Sequence, residues 1–117
     1  MTVRTTDRSD AIIIRVEGDI DGLTAPRLAA AIAAAFDRLD GRLPVVDLSD
    51  IDFLGSIGLR TLREAATEAV NTRGLRRLRV VVDQNRPAIR PIEIVGLDQL
   101  LELFHTVDDA TASGDLH

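Results

Sequence analysis

Three runs of aliphatic residues constrain this chain more than anything else in it. Ala11–Glu17 reads Ala-Ile-Ile-Ile-Arg-Val-Glu, Val45–Leu48 reads Val-Val-Asp-Leu, and Leu78–Val82 reads Leu-Arg-Val-Val-Val. Runs this short and this rich in β-branched residues predict buried strands. Helix-like segments separate them. After Thr24, an N-cap type with Pro26 in the first turn, apolar residues recur at 28, 32, 35, 36 and 39, the period of a helix ending near Asp40-Gly41. After Gly58, Leu59, Leu62, Ala66 and Val70 mark a second helix face, closed by Asn71–Gly74. Strands alternating with helices imply a mostly parallel sheet with right-handed crossovers.

The flanks complete the pattern. Residues 2–8 read as a short edge strand, antiparallel to Ala11–Glu17 across a Ser9-Asp10 turn. Leu78–Val82, nearly all Val and Leu, reads as a central strand. Arg86–Val95 reads as a short helix, bent because Pro91 removes a backbone donor. Leu100–Phe104 fits a strand or a helical turn. The expected fold is therefore α/β: a mostly parallel four- to five-stranded sheet with an N-terminal antiparallel edge strand and three to four helices. One domain spans residues 1–108, with 109–117 a polar, frayed tail.

Composition narrows the function. The 117 residues carry a net charge of −5, which opposes phosphate-backbone binding, and an aromatic share of 3% leaves no stacking platform for single-stranded nucleic acid. Arg73, Arg76, Arg77 and Arg79 read as a solvated helix end and turn rather than an anion site. There is no Cys, which removes disulfides, a thiolate nucleophile and Cys-based metal sites. The two histidines, His105 and His117, are too few for a His-based metal site. No cofactor is implied. No window approaches a membrane span and the N-terminus lacks a signal-peptide core, so the expected setting is cytoplasmic, away from membranes.

In open α/β sheets, sites gather beyond the carboxyl ends of the strands. Here those ends are Gly18–Leu23, Asp52–Gly58 and Asp83–Arg86, which carry the unusual residues. Gly55-Ser56-Ile57-Gly58 sets a hydroxyl where a helix begins. Ser56 is either an N-cap, stabilising the helix by about 1 kcal/mol, or a phosphoacceptor whose product the helix dipole favours. The glycines would let a kinase approach the backbone. A nucleophile elbow requires Gly-x-Ser-x-Gly, and position 54 is Leu. A hydrolase using Ser56 would need His105 within hydrogen-bond reach. A P-loop fails because no Lys follows the glycines. Asp19 and Asp21, in Gly-Asp-Ile-Asp-Gly, suit a turn whose carboxylates bond their own backbone, or a shared charge. Asp47, Asp50 and Asp52 continue the acidic character and, with Asp21, would steer a basic partner.

Taken in order, Gly18-Asp19-Ile20-Asp21, Thr24-Ala25-Pro26, Val46-Asp47-Leu48, Ile51-Asp52-Phe53 and Ser56-Ile57-Gly58-Leu59 resemble the STAS domain of bacterial anti-sigma factor antagonists. Asn85-Arg86-Pro87-Ala88 and Val95-Gly96-Leu97 are similar to that family's closing helix and Gly-Leu turn. The resemblance covers roughly residues 5–105. It implies a non-enzymatic partner switch in transcription regulation. The antagonist binds an anti-sigma factor that is also a serine kinase and frees the sigma factor. Phosphorylation of a serine at the start of the second helix then dissolves the complex, and a phosphatase resets it. The resemblance assigns that serine to Ser56 and the family's loop Asp to Asp21. Asp21, Gly55, Ser56, Ile57 and Arg60 are the expected contact face. The family carries Asp directly before the acceptor and a small residue after it, where this chain has Gly55 and Ile57. The other role open to such a domain is a scaffold in a sensory assembly, or a regulatory subunit of a lipid or anion transport system, without the switch.

Overall fold

In a computed structural model, residues 1–75, 77–83 and 100–112 are described. Five strands form one sheet in the order β1-β2-β3-β4-β5. They are β1 (Thr2–Asp7), β2 (Ala11–Ile20), β3 (Leu43–Leu54), β4 (Leu78–Val81) and β5 (Leu101–Phe104). β1 pairs antiparallel with β2, and every later pairing is parallel. β4 is interior, between β3 and β5, while β3 takes the middle place. The ambiguous Leu100–Phe104 segment is a strand, paired with β4 from Leu78↔Leu101 to Val81↔Phe104. The helix expected over Arg86–Val95 lies outside the described residues, as does the Asp83–Arg86 loop beyond Asp83.

Sequential parallel strands in unbroken order place their right-handed crossover helices on one face. Helices α1 (Ala25–Asp37) and α2 (Ser56–Thr67) both lie there. Leu28, Ile32 and Phe36 of α1 and Leu62 and Ala66 of α2 pack on Ile12, Ile14, Val16, Val46, Leu48 and Val80. A third helix, α3 (Val107–Ala112), covers part of the opposite face, where Ala110 packs with Ala11, Ile13, Val45 and Val81. Residues 109–112, which the sequence reading placed in the tail, belong to α3, and Ala110 is fully buried.

Two helix ends depart from the sequence reading. α1 stops at Asp37, where Arg38 leaves helical geometry (φ −125°, ψ 22°), and Asp40 and Gly41 then take left-handed backbone (φ 49° and 85°). α2 runs into a π-helical turn over Glu68–Thr72. The wider turn rotates the helix surface, so Ala69 enters the core and Val70, expected on the buried face, is exposed. The arginine cluster also divides. Arg73 pairs with Asp37 at 2.8 Å and Glu68 at 3.2 Å on the surface. Arg79 is instead buried, donating to the Ala110 carbonyl at the end of α3 and lying over the Phe104 ring. It fastens the covering helix to β4.

β3 is much longer than the Val45–Leu48 core read from sequence. It continues past Asp50 and Asp52 because its register against β2 slips twice, between Arg15 and Glu17 and between Gly18 and Asp19. Each slip inserts an extra β3 residue, the signature of a bulge. At the first, Asp47 folds back on its own strand: its Oδ1 accepts from the Ser49 amide at 3.0 Å and the Ser49 hydroxyl at 2.7 Å. Asp47 is buried and Asp50 pairs with Arg15, so these two carboxylates stabilise the strand rather than charging the loop face as expected. At the second slip, Gly18 takes φ 95°, a conformation that favours glycine. Replacing Asp47 by Ala strands the Ser49 amide and should cost about 1–3 kcal/mol in urea unfolding, whereas Asp47→Asn, which keeps an acceptor, should cost less.

Candidate functional site

The two bulges carry β2 and β3 to a shared end. Ile20 pairs with Leu54, and the Gly55 amide donates to the Ile20 carbonyl at 2.9 Å. The loop after β2 and the turn after β3 therefore emerge side by side, at the carboxyl ends of parallel strands. The strands run farther than expected, which shortens the connections.

The first loop is fixed by Asp21 and Thr24. Asp21 Oδ1 accepts from the Leu23 amide at 2.9 Å and the Thr24 amide at 3.1 Å, and lies 3.2 Å from the Thr24 hydroxyl. The Asp21 amide donates to Thr24 Oγ1 at 2.9 Å, and that hydroxyl donates to the Asp19 carbonyl at 3.0 Å. Thr24 is the residue before α1, as expected, but its side chain turns back into the loop and makes no bond to the helix. The Leu23 amide, then the Thr24 amide, hold the Asp21 carboxyl below its ordinary range, against a smaller opposing effect of desolvation. Asp21 thus takes the self-bonded turn of the two readings open to it, which stiffens the loop beside Gly55. Asp19 is exposed.

The second turn is a single residue. Gly55 is the N-cap of α2, with extended backbone (φ −80°, ψ 174°), and Ser56 is the first helical residue. The capping reading of Ser56 is therefore corrected. No side-chain cap bond forms, and among the described residues the Ser56 hydroxyl has no hydrogen-bond partner, His105 included. It is exposed, in the first turn of a twelve-residue helix. The two glycines have different duties. A Cβ on Gly58 would meet side-chain carbons of Ile20 and Leu54 at 2.7 Å, so Gly58 lets α2 press onto the strand ends. A Cβ on Gly55 would lie 3.1 Å from the Phe53 ring, which requires that ring to shift slightly.

Ile57 and Arg60, both expected on the contact face, are exposed on the first turns of α2 near Ser56. The sequence reading missed two further residues. Leu23 is 88% exposed on the Asp21 loop and Phe53 is 53% exposed at the end of β3. With Ile57, they are three of the five large hydrophobic residues that stand exposed among the described residues. Leu23 had a signal, an aliphatic side chain in an otherwise polar loop. Phe53 had none, since its facing depends on the bulges. Two cavities lie elsewhere. One of about 260 Å³ sits by Arg42, Pro44 and Leu75 at the other end of β3, and one of about 110 Å³ lies between α1 and α2. Among the described residues, no cluster of His, Asp and Glu is suited to a metal ion, and no helix is long and apolar enough to cross a membrane.

A paired strand end, a self-bonded Asp loop and a serine opening α2 reproduce the motif order noted in the sequence. The family model described as STAS domain matches residues 2–110. The chain belongs to the STAS domain family. It is 36% identical over 110 residues to a Mycobacterium tuberculosis protein named anti-sigma-F factor antagonist RsfB, covering 94% of this chain and 86% of the relative. A crystal structure of an anti-sigma factor antagonist from Mycobacterium paratuberculosis superposes with a TM-score of 0.78 at 34% identity, covering 96% of this chain and 92% of the other. A Thermotoga maritima structure described as a putative anti-sigma factor antagonist has a TM-score of 0.80 at 15% identity, covering 95% and 92%, and shares the fold.

Two outcomes test this STAS site. Gly58→Ala should lose about 1–3 kcal/mol of unfolding free energy through overpacking. Asp21 has a lowered folded-state pKa, so its contribution is complete above the unfolded value near 3.8 and is lost as pH falls through the folded value. Urea unfolding from about pH 5 to about pH 2 should therefore depend less on pH in Asp21→Asn than in the parent.

Proposed function

We propose that this chain is an anti-sigma factor antagonist, a cytoplasmic binding protein whose docking surface surrounds Ser56. The observation that carries the reading is the exposed, unbonded Ser56 hydroxyl opening α2, rimmed by exposed Leu23, Phe53 and Ile57. Its support from relatives is the 36% identity, over nearly the whole chain, to a protein named anti-sigma-F factor antagonist. The partner is an anti-sigma factor carrying a serine kinase. Binding it releases a sigma factor, and a phosphatase restores the unmodified antagonist. The chain itself has no catalytic role in this scheme. Gly55, Ser56, Ile57 and Arg60 contribute contacts, and Asp21 fixes the loop that presents Leu23.

The switch is electrostatic. Apolar side chains around a small hydroxyl form a surface that a partner can desolvate cheaply. A phosphate on Ser56 adds about −1.5 to −2 charges at pH 7. The helix dipole tolerates that charge on the free protein, but covering it with an apolar partner costs hydration. A loss of about 3 kcal/mol lowers affinity by roughly two orders of magnitude. No rearrangement of the sheet is needed.

Incubation with the cognate anti-sigma kinase and ATP should add one phosphate, and Ser56→Ala should abolish it. Labelling that persists in Ser56→Ala, or maps to another residue, sinks the assignment. Phe53→Ala should weaken the complex by about tenfold or more while leaving the unfolding midpoint nearly unchanged, because the ring is an exposed anchor.

A further inference from the structure

Most arginines in the described structure are committed. Arg15 pairs with Asp50 and Glu17, Arg38 and Arg42 with Asp7, Arg73 with Asp37 and Glu68, and Arg8 with Asp10. Arg27 donates to the Met1 carbonyl and Arg79 to that of Ala110. Arg60, like Arg4 and Arg63, is exposed and makes no hydrogen bond or ion pair with any described residue, and of the three it is the one a single turn from Ser56. It stands four residues after Ser56 on the same helix. Residues at that spacing are neighbours on a helix surface, with Cβ atoms about 5–6 Å apart. An acid preceding its base is also the favourable order for such a pair. Glu64, four residues beyond Arg60, would offer the less favourable order, and no ion pair forms between them.

We propose that Arg60 is the built-in counter-charge for a phosphate on Ser56, pairing with it across one turn of α2. This rests on the reading of Ser56 as the modified residue and adds a second consequence of modification. In the unmodified protein the Arg60 guanidinium is available to an acidic group on a partner. Once the phosphate is in place, Arg60 turns to it and that contact is withdrawn. Modification then weakens docking twice, by adding an anion to the apolar rim and by removing a cation from the contact set. The charged groups near this turn on neighbouring elements are Asp19 and Asp21 on the loop after β2, Asp52 near the end of β3, and the Met1 ammonium, whose field reaches Asp21. The three carboxylates carry the phosphate's own sign, and the Met1 ammonium lies beside Gly18 rather than on α2. Arg60 is the basic group placed to neutralise a phosphate.

The test installs phosphoserine at position 56 during synthesis of the full chain and follows the phosphate by ³¹P NMR titration. With Arg60 present, its second pKa should lie below that of the Arg60→Gln protein by about 0.3–0.5 units. Arg60→Lys should retain part of the difference. Arg63→Gln, which removes an equal charge two turns from Ser56, should leave the titration unchanged. Identical titrations in the parent and Arg60→Gln overturn the pairing, and so does an equal shift from Arg63→Gln, which would mark a general field effect. Because the phosphate is installed rather than transferred, failure of kinase labelling at Ser56 would overturn the acceptor reading without altering this result.

Discussion

The site depends on one piece of backbone pairing, the parallel ladder between β2 and β3. It runs from Ala11↔Leu43 to Ile20↔Leu54, through two bulges, and closes with the Gly55 amide on the Ile20 carbonyl. Without those inserted residues, the alternation of side chains would send Ile51 to the other face and turn Asp50 and Asp52 toward the core. With them, Ile51 and Leu54 enter the core while Asp52 and Phe53 stay outside. The same ladder brings the Asp21 loop against the first turn of α2. The proposed docking surface, assembled from three separate segments, is thereby held by main-chain bonds.

The arrangement also explains why the loop residues are so economical. Asp21 and Thr24 satisfy one another's backbone within four residues, which leaves Leu23 projecting from a stiff turn. Gly58 removes the one side chain that would hold α2 away from Ile20 and Leu54. Each device reduces the conformational freedom that would otherwise be lost on binding, which is how preorganised surfaces gain affinity. Rigidity at this end suits the proposed switch, which would work by charge alone.

Much of this was legible in the sequence. β-branched runs and 3.6-residue periodicity located the central strands, α1 and α2, and their alternation implied a mostly parallel sheet; the motif order drew attention to Ser56 between two glycines. What was not legible was long-range or register-dependent. The length of β3 followed from bulges that a local reading of Asp47-Leu48-Ser49-Asp50 does not reveal. Burial of Arg79 required α3 to arrive from thirty residues away, and the exposure of Val70 required a π-helical turn. Phe53 entered the sequence reading only as part of a loop motif, and its exposure beside buried Leu54 depends on the second bulge. Ser56 looked like a cap because serine favours caps, yet the extended Gly55 holds that place.

The covering of the second sheet face has a consequence for how such a chain folds. Ala11, Ile13, Val45 and Val81 present a continuous aliphatic strip whose cover, α3, follows the last strand in the chain. Until residues 107–112 dock, that strip is open to water, so a sheet formed without them carries a sticky surface on the side away from the crossover helices. The Arg79 guanidinium lies over the Phe104 ring and donates to the Ala110 carbonyl, so the same closure that dries the strip also satisfies the cation set within it.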